Sequence, residues 1–218
     1  MGKITILPET TKNPITLIGQ RAGVCYGVDT EDDEKNYKRG IDCILNQHFR
    51  PLEYINVECI IDGYSARVIR EWYTHIGGSP TRLQSSTRYV DYDFQYVTPP
   101  SVKKYAAAAY EDAMDAISNA YNAMLNNGVP KEDAAMVLPL GMTTKIIDKR
   151  NFRNVMDMSR QRLCNRAYWE FRDLFKAYCN ALAAYSPEWE ELIRLLIKPK
   201  CEVLGYCPEK KGCGHMPK

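Results

Sequence analysis

Two rhythms of apolar and polar residues run along this chain. Near the N-terminus, "KITILP" and "PITLIG" are short apolar runs beside prolines, the pattern of strands or sheet edges. "TEDDEKNYKRGIDCILNQ" puts Thr30 at an N-cap and acids in the first turn. Tyr37, Ile41 and Leu45 then fall four apart, which predicts an amphipathic helix. "EYINVECIIDG" is β-branched, alternates in part and ends at Asp-Gly, so it predicts a strand. "YSARVIREWYTH" predicts a helix that runs into the loop "GGSPTRLQSSTRYV", residues 77–90. "STRYVDYDFQYVTPP" alternates aromatic and polar residues and predicts a strand or extended segment, stopped by Pro99 and Pro100.

From there the period is helical. "SVKKYAAAAYEDAMDAISNAYNAMLNNG" predicts one long helix, capped by Ser101 and ended by Asn-Gly. "PKEDAAMVLP" predicts a short helix with proline in its first turn, and "MTTKIID" a strand or turn. "NFRNVMDMSRQRLCNRAYWEFRDLFKAYCNALAAY" predicts a second long helix ending before Pro187, and "EWEELIRLLI" a third. This order predicts an α+β fold, a mixed or antiparallel sheet packed with long helices.

A length of 218 residues suits a single domain, here with a Cys-rich C-terminal tail over about 199–218. The net charge of +2 argues against a general polyanion binder, so no nucleic-acid partner is expected and any anion site must be local. No run of 18 apolar residues exists to span a membrane, and "MGKITILPETTKN" carries no signal-peptide pattern; the expectation is a cytoplasmic protein. Cys25, Cys43, Cys59, Cys164 and Cys179 have apolar or helical neighbours and read as small buried hydrophobes. Cys201, Cys207, Cys213 and His215 crowd the tail, but not at the spacing of a zinc knuckle. The tail is therefore expected to pack on the body without metal, those four residues being the alternative.

The chemistry concentrates in two places. In the 77–90 loop, Gly77 and Gly78 permit close approach of a ligand to the backbone. Arg82 and Arg88 can each fork onto phosphate or carboxylate. Gln84, Ser85, Ser86 and Thr87 offer donors and acceptors, and the preceding helix brings Glu71 and His75 to the same place. The competing reading is a solvated loop with surface arginines. In the second long helix, Asn151 and Arg162 lie eleven residues apart on one face, roughly 16 Å along the axis. A separate apolar stripe contains Phe152, Val155, Met156 and Leu163. By periodicity alone that polar row also reads as a solvent-facing surface.

The motifs narrow the choice. Ser86-Thr87-Arg88-Tyr89, Asn151-Phe152-Arg153, Arg162 and Ala167-Tyr168-Trp169-Glu170-Phe171-Arg172 occur in that order. With "RAGVCYG", "HFRPLEY", "AAMVLPLGM" and "PKCEVLGYCPEKKGCG", they resemble the flavin-dependent (alternative) thymidylate synthases over nearly the whole chain. The resemblance implies a homotetramer with its sites at subunit junctions. It also implies synthesis of dTMP from dUMP, with methylenetetrahydrofolate as the one-carbon donor, FAD as the cofactor and NADPH as its reductant. It places Arg162 beside the uracil as the catalytic residue. Glu71, Arg82, Gln84, Ser85, Ser86, Thr87 and Arg88 would join it in holding the nucleotide. Glu53, His75, Gln84, Asn151, Phe152, Arg153 and Asp157 would hold FAD.

The departures from the family are specific. Thr74-His75-Ile76 stands where the family has Arg-His-Arg, and the loop is one or two residues longer. Gln84 replaces a glutamate, Ala135 a phosphate-binding arginine and Asp157 an asparagine; ideal helix geometry puts Asp157 well off the Asn151–Arg162 face. Arg82 is the candidate for the missing charge. These losses leave two further readings open: a pyrimidine nucleotide hydroxymethylase of the same family, and a catalytically silent flavin- or nucleotide-binding relative.

Overall fold

A computed structural model describes residues 2–217. The chain opens with strand β1 (Lys3–Ile6) and helices α1 (Pro14–Tyr26) and α2 (Asp33–Leu45). A short 3₁₀ turn, Arg50–Tyr54, then leads into β2 (Asn56–Ser65) and α3 (Ala66–Trp72). Next come β3 (Thr81–Gln84), α4 (Pro100–Tyr105), α5 (Ala107–Asn126) and α6 (Lys131–Ala134). Strand β4 (Thr143–Asn151) precedes α7 (Phe152–Arg162), α8 (Trp169–Ala183), α9 (Pro187–Leu196) and α10 (Lys200–Leu204). The four strands form one antiparallel sheet in the order β1-β2-β4-β3.

The core lies between this sheet and the helices. Val57, Cys59 and Ile61 alternate along the buried face of β2. They meet Phe171, Leu174, Phe175, Tyr178 and Leu182, spaced three and four apart along α8, all at 0% exposure. Helices α1 and α2 cross where Gly19 and Gly40 face each other's backbone. A Cβ on Gly19 would stand 1.7 Å from the Asn36 carbonyl oxygen, and one on Gly40 2.1 Å from that of Ile15.

Tertiary contacts overrule several local expectations. "PITLIG" is the start of α1, not a strand: Pro14 sits in its first turn and the buried set Ile15, Ile18, Gly19, Ala22 has a helical period. The N-cap of α2 is Asp32 rather than Thr30, its side chain accepting from Lys35 N at 3.0 Å. The segment 86–100 forms no strand beyond one bridge, Tyr96 to Met142. Its aromatic alternation serves α5 instead: Phe94 packs on Tyr121 and Tyr96 on Tyr110, at 5.4 and 5.7 Å between ring centres. The strand lies earlier, inside the polar loop, where β3 pairs Arg82 with Asp148 and Leu83 with Ile147.

The predicted helix from 101 is interrupted at Ala106 (φ −153°, ψ 35°), and Ser101 does not cap it, since α4 begins at Pro100. The predicted helix over 151–185 is two helices. Asn151 is the last residue of β4 and the N-cap of α7, accepting from Asn154 N at 2.9 Å. The chain then breaks over 163–168, so α8 can lay its apolar face on the sheet. Glu170, buried at the start of α8, explains the break: its carboxylate accepts from Ser65 N at 2.7 Å and Ser65 Oγ at 2.5 Å. Ser65 is itself the N-cap of α3. One contact thus ties the ends of two helices 105 residues apart.

A second buried tie joins α3, β4 and α7. Arg150 and Asp148, each about 1–2% exposed, form an ion pair at 2.6 Å. Trp72 Nε1 donates to Asp148 at 3.1 Å, and the Arg150 guanidinium lies 4.5 Å from the Trp72 ring. Arg150 also donates to Asn154 Oδ1 at 2.6 Å and approaches Met158 Sδ at 2.8 Å. This network sets α3 against α7, the two elements that carry the chemistry below.

Candidate functional site

Arg162 ends α7 and turns back toward the end of α3. Its Nε donates to His75 Nε2 at 2.9 Å and its Nη1 to Glu71 Oε2 at 3.0 Å, while the guanidinium lies 4.5 Å from the Phe171 ring centre. These three contacts set the plane of the guanidinium. His75 packs edge-on against the same Phe171 ring at 5.7 Å. Burial, then the Arg162 and Arg150 charges, push the His75 pKa down to about 4, so its ring is neutral at pH 7 and Nε2 is free to accept. The sequence reading brought Glu71 and His75 together at the 77–90 loop, and the structure adds Arg162 of α7 to that pair.

One turn of α7 and more away, Glu53, Asn151, Arg153 and Asp157 share a cleft of about 450 Å³ with Arg50, Asn154, Gly77 and Gly78. Asp157 therefore belongs with Asn151 after all. Helical geometry misplaced it because Asn151 is the cap, outside the helix. Gly78 has φ +71°, and a Cβ there would stand 2.1 Å from Asn151 Nδ2, so the amide lies directly against the loop backbone. Arg153 is 3.3 Å from Asp157, and Arg50 3.5 Å from Glu53. Arg50 and Asn154 went unnamed in the sequence reading. Arg50 lies in the quoted "HFRPLEY" stretch, three residues before Glu53, and the Asn154 site has no signal outside the fold.

Other expected residues lie elsewhere. Phe152 is core, 0% exposed, with its ring on Trp189 at 5.3 Å, so its side chain cannot touch a ligand. Arg82 is committed to Tyr73: it donates to that residue's carbonyl at 2.9 Å and stacks 4.5 Å from its ring centre. Arg88 pairs with Glu132 at 2.9 Å. Gln84 donates to Thr144 Oγ1 at 3.2 Å, and with Ser85 lines a separate shallow cleft beside Lys145. Ser86 Oγ accepts from Arg88 N at 3.2 Å. None of Gln84, Ser85, Ser86, Thr87 and Arg88 lines the clefts along α7.

In the tail, His215 Nε2 lies 2.7 Å from Glu202. Cys201, Cys207 and Cys213 line a cleft together with Cys164. Among the described residues, no group of three or more His, Cys, Asp or Glu side chains is placed to hold a metal ion. All eight cysteines are free, and Cys25 is exposed rather than buried as its neighbours suggested. Among the described residues no helix is long and apolar enough to cross a membrane.

The architecture, one small antiparallel sheet packed with long helices, is shared with a solved structure. The crystal structure of a UMP/dUMP methylase, PolB, from Streptomyces cacaoi bound with 5-Br dUMP superposes with a TM-score of 0.76, covering 90% of this chain and 96% of that one at 14% identity. At that identity the likeness is one of fold. Residues 6–188 match the family model described as thymidylate synthase complementing protein, and the chain belongs to that family. Its relatives include the flavin-dependent thymidylate synthase of Clostridium tetani, 30% identical over 98% of this chain and 94% of that protein. Another is that of Geobacter sulfurreducens, 32% identical over 95% and 91%.

Proposed function

We propose that the protein is an FAD-dependent thymidylate synthase that converts dUMP to dTMP, taking the one-carbon unit from methylenetetrahydrofolate and electrons from NADPH. The observation that carries this reading is the Arg162–His75–Glu71 cluster beside the polar cleft of Glu53, Asn151, Arg153 and Asp157. That cleft fits a dinucleotide cofactor. Arg50 and Arg153 suit a pyrophosphate, Glu53 suits sugar hydroxyls, and Gly78 packs so closely on Asn151 that a Cβ there would collide with its amide. FAD bound there supplies hydride to the transferred carbon.

The residues of the chain bind, orient and polarise. Arg162, with its plane set by Glu71, His75 and Phe171, stabilises negative charge on the uracil as N3 loses its proton, which makes C5 nucleophilic. Neutral His75 holds Arg162 Nε without adding a second positive charge. Glu71 tempers the guanidinium and keeps it aimed. Gln84, Ser85, Ser86, Thr87 and Arg88 bind the nucleotide of a neighbouring subunit in a homotetramer. Two observations support that assembly: this segment lies away from the α7 clefts of its own chain, and α5 buries only Met114 and Tyr121 along twenty residues. Free thiols support a reducing, cytoplasmic location. The core continuous from α1 to α9 supports a single domain.

The test is product analysis. Purified protein is incubated anaerobically with FAD, NADPH, methylenetetrahydrofolate and dUMP, and the nucleotide is identified by mass spectrometry. dTMP is expected. A hydroxymethylated nucleotide would assign the chemistry to water capture of the one-carbon adduct, and unchanged dUMP with FAD bound would mark a silent relative.

A further inference from the structure

Three clefts run end to end along one face of α7. The first is lined by Gly77, Asn151, Asn154 and Asp157. The second shares Gly77, Asn154 and Asp157 and adds His75 and Gln161. The third shares Gln161 and continues past Arg160 and Arg162 to Arg166 and Lys200. Positions 154, 157, 158 and 161 form one helical stripe, with the cap residue Asn151 at its start, so the groove follows α7 for roughly 15 Å.

The far end differs in character from the rest. Over about 420 Å³ it gathers Arg160, Arg162, Arg166 and Lys200 against a single lining carboxylate, Glu209. Arg166 pairs with Glu209 at 2.9 Å, both side chains about half exposed. Arg160 is 4.0 Å from Asp157, and Arg162 is held by Glu71. The half-exposed Arg166–Glu209 pair and the long Arg160–Asp157 contact are weak and exchange readily for a better anion. Lys200 and Glu209 lie beyond residues 6–188, so the tail builds half of this cleft.

We propose that this basic end is a subsite for a chain of carboxylates, the γ-linked glutamates that extend a folate co-substrate whose ring lies further up the groove. The proposal rests on the thymidylate synthase reading above. The cations come from three separate segments: the last turn of α7, the 163–168 link and the start of α10. This basic strip draws on three segments and carries four cations, more than a single phosphate needs and suited to a run of carboxylates. The tail's part is to close the second wall of this strip.

The experiment uses FAD-loaded protein and calorimetric titration with folic acid and with its pentaglutamate. The pentaglutamate should bind about tenfold more tightly or better in low salt, and the advantage should shrink at about 0.5 M salt. In Arg160→Gln/Arg166→Gln/Lys200→Gln the ratio should fall to about threefold or less. The single Lys200→Gln variant, in the tail, should lose part of it. Equal affinities in the wild type, or an advantage that survives the triple variant, would overturn the proposal. A parallel titration compares NADPH with NADH. A 2′-phosphate preference lost in the triple variant, with no effect of glutamate chain length, would assign the strip to phosphate and overturn the carboxylate assignment. In turnover assays with the mono- and pentaglutamate forms of methylenetetrahydrofolate, formation of dTMP with no chain-length effect on binding sinks this proposal alone. No dTMP from either form sinks the parent reading and this one with it.

Discussion

Arg162 and His75 share a hydrogen bond, Nε to Nε2 at 2.9 Å, that can exist only while the imidazole is neutral. The folded state therefore binds fewer protons at His75 than the unfolded state, whose ring titrates near 6.5. Stability from this group is complete above pH 6.5 and is lost as the pH falls toward about 4. The shift has an upper bound of about 3 kcal/mol, which partial exposure reduces to about 1–2 kcal/mol. Urea unfolding at pH 7.5 and pH 4.5 should show a smaller acid loss in His75→Gln than in the wild type, by about that amount. An identical loss in both would place the titrating group elsewhere.

Arg162 is expected to act on the rate more than on binding. Arg162→Ala should lower the rate of dTMP formation at saturating dUMP by about 10²–10³, with dUMP affinity changed less and FAD retained, since Asn151, Glu53 and Arg153 remain. Arg162→Lys should not restore it, because an ammonium cannot donate to His75 and Glu71 from one plane. Turnover near wild type in Arg162→Ala would send the activating role to another group.

Gly78→Ala puts a methyl group where Asn151 Nδ2 now sits, at a residue with φ +71°. It should cost about 1–3 kcal/mol in thermal or urea unfolding and displace the Asn151 amide from the cleft. Flavin absorbance of the purified variant, after added FAD and removal of the excess, should fall well below that of the wild type. Full flavin content would mean Asn151 does not contribute to that site.

The Asp148–Arg150 pair is an expensive element to break. Asp148→Ala leaves a buried guanidinium without its carboxylate and should destabilise by about 3–5 kcal/mol. Because the same carboxylate accepts from Trp72, the variant should also loosen α3 against α7 and lower activity at temperatures where it is still folded. Denaturation midpoints and activity measured together test both halves.

Arg82 was the sequence candidate for the missing phosphate charge, and its contacts with Tyr73 change that expectation. Arg82→Ala should weaken dUMP binding less than about tenfold, measured by titration of the FAD-loaded protein, while lowering thermal stability through lost stacking and one hydrogen bond. A hundredfold loss of dUMP affinity with unchanged stability would return Arg82 to the phosphate.

Much was written into the local order of residues. The period-two run of β2 and the period-3.6 runs of α3, α8 and α9 are apolar patterns that each element buries, so they are legible a few residues at a time. Glu71 and His75 were legible as neighbours because they lie four apart in one short predicted helix, and Arg162 because it follows Asn151-Phe152-Arg153 in the order of the resemblance. What was not legible depends on partners far along the chain. The break at 163–168 follows from Glu170 reaching Ser65, and no residue in that stretch is itself a helix breaker. The strand at Thr81–Gln84 exists because β4 offers it an edge, although its own sequence is polar. Asn151 caps α7 instead of lying in it because β4 ends there, and this one shift moved Asp157 into its cleft. The sharing of Arg150 among Asp148, Asn154 and Trp72, and the capture of Arg82 by Tyr73, are choices among several polar groups of similar chemistry. Periodicity records which side of an element is apolar. It carries no information on which of several donors and acceptors folding brings within 3 Å.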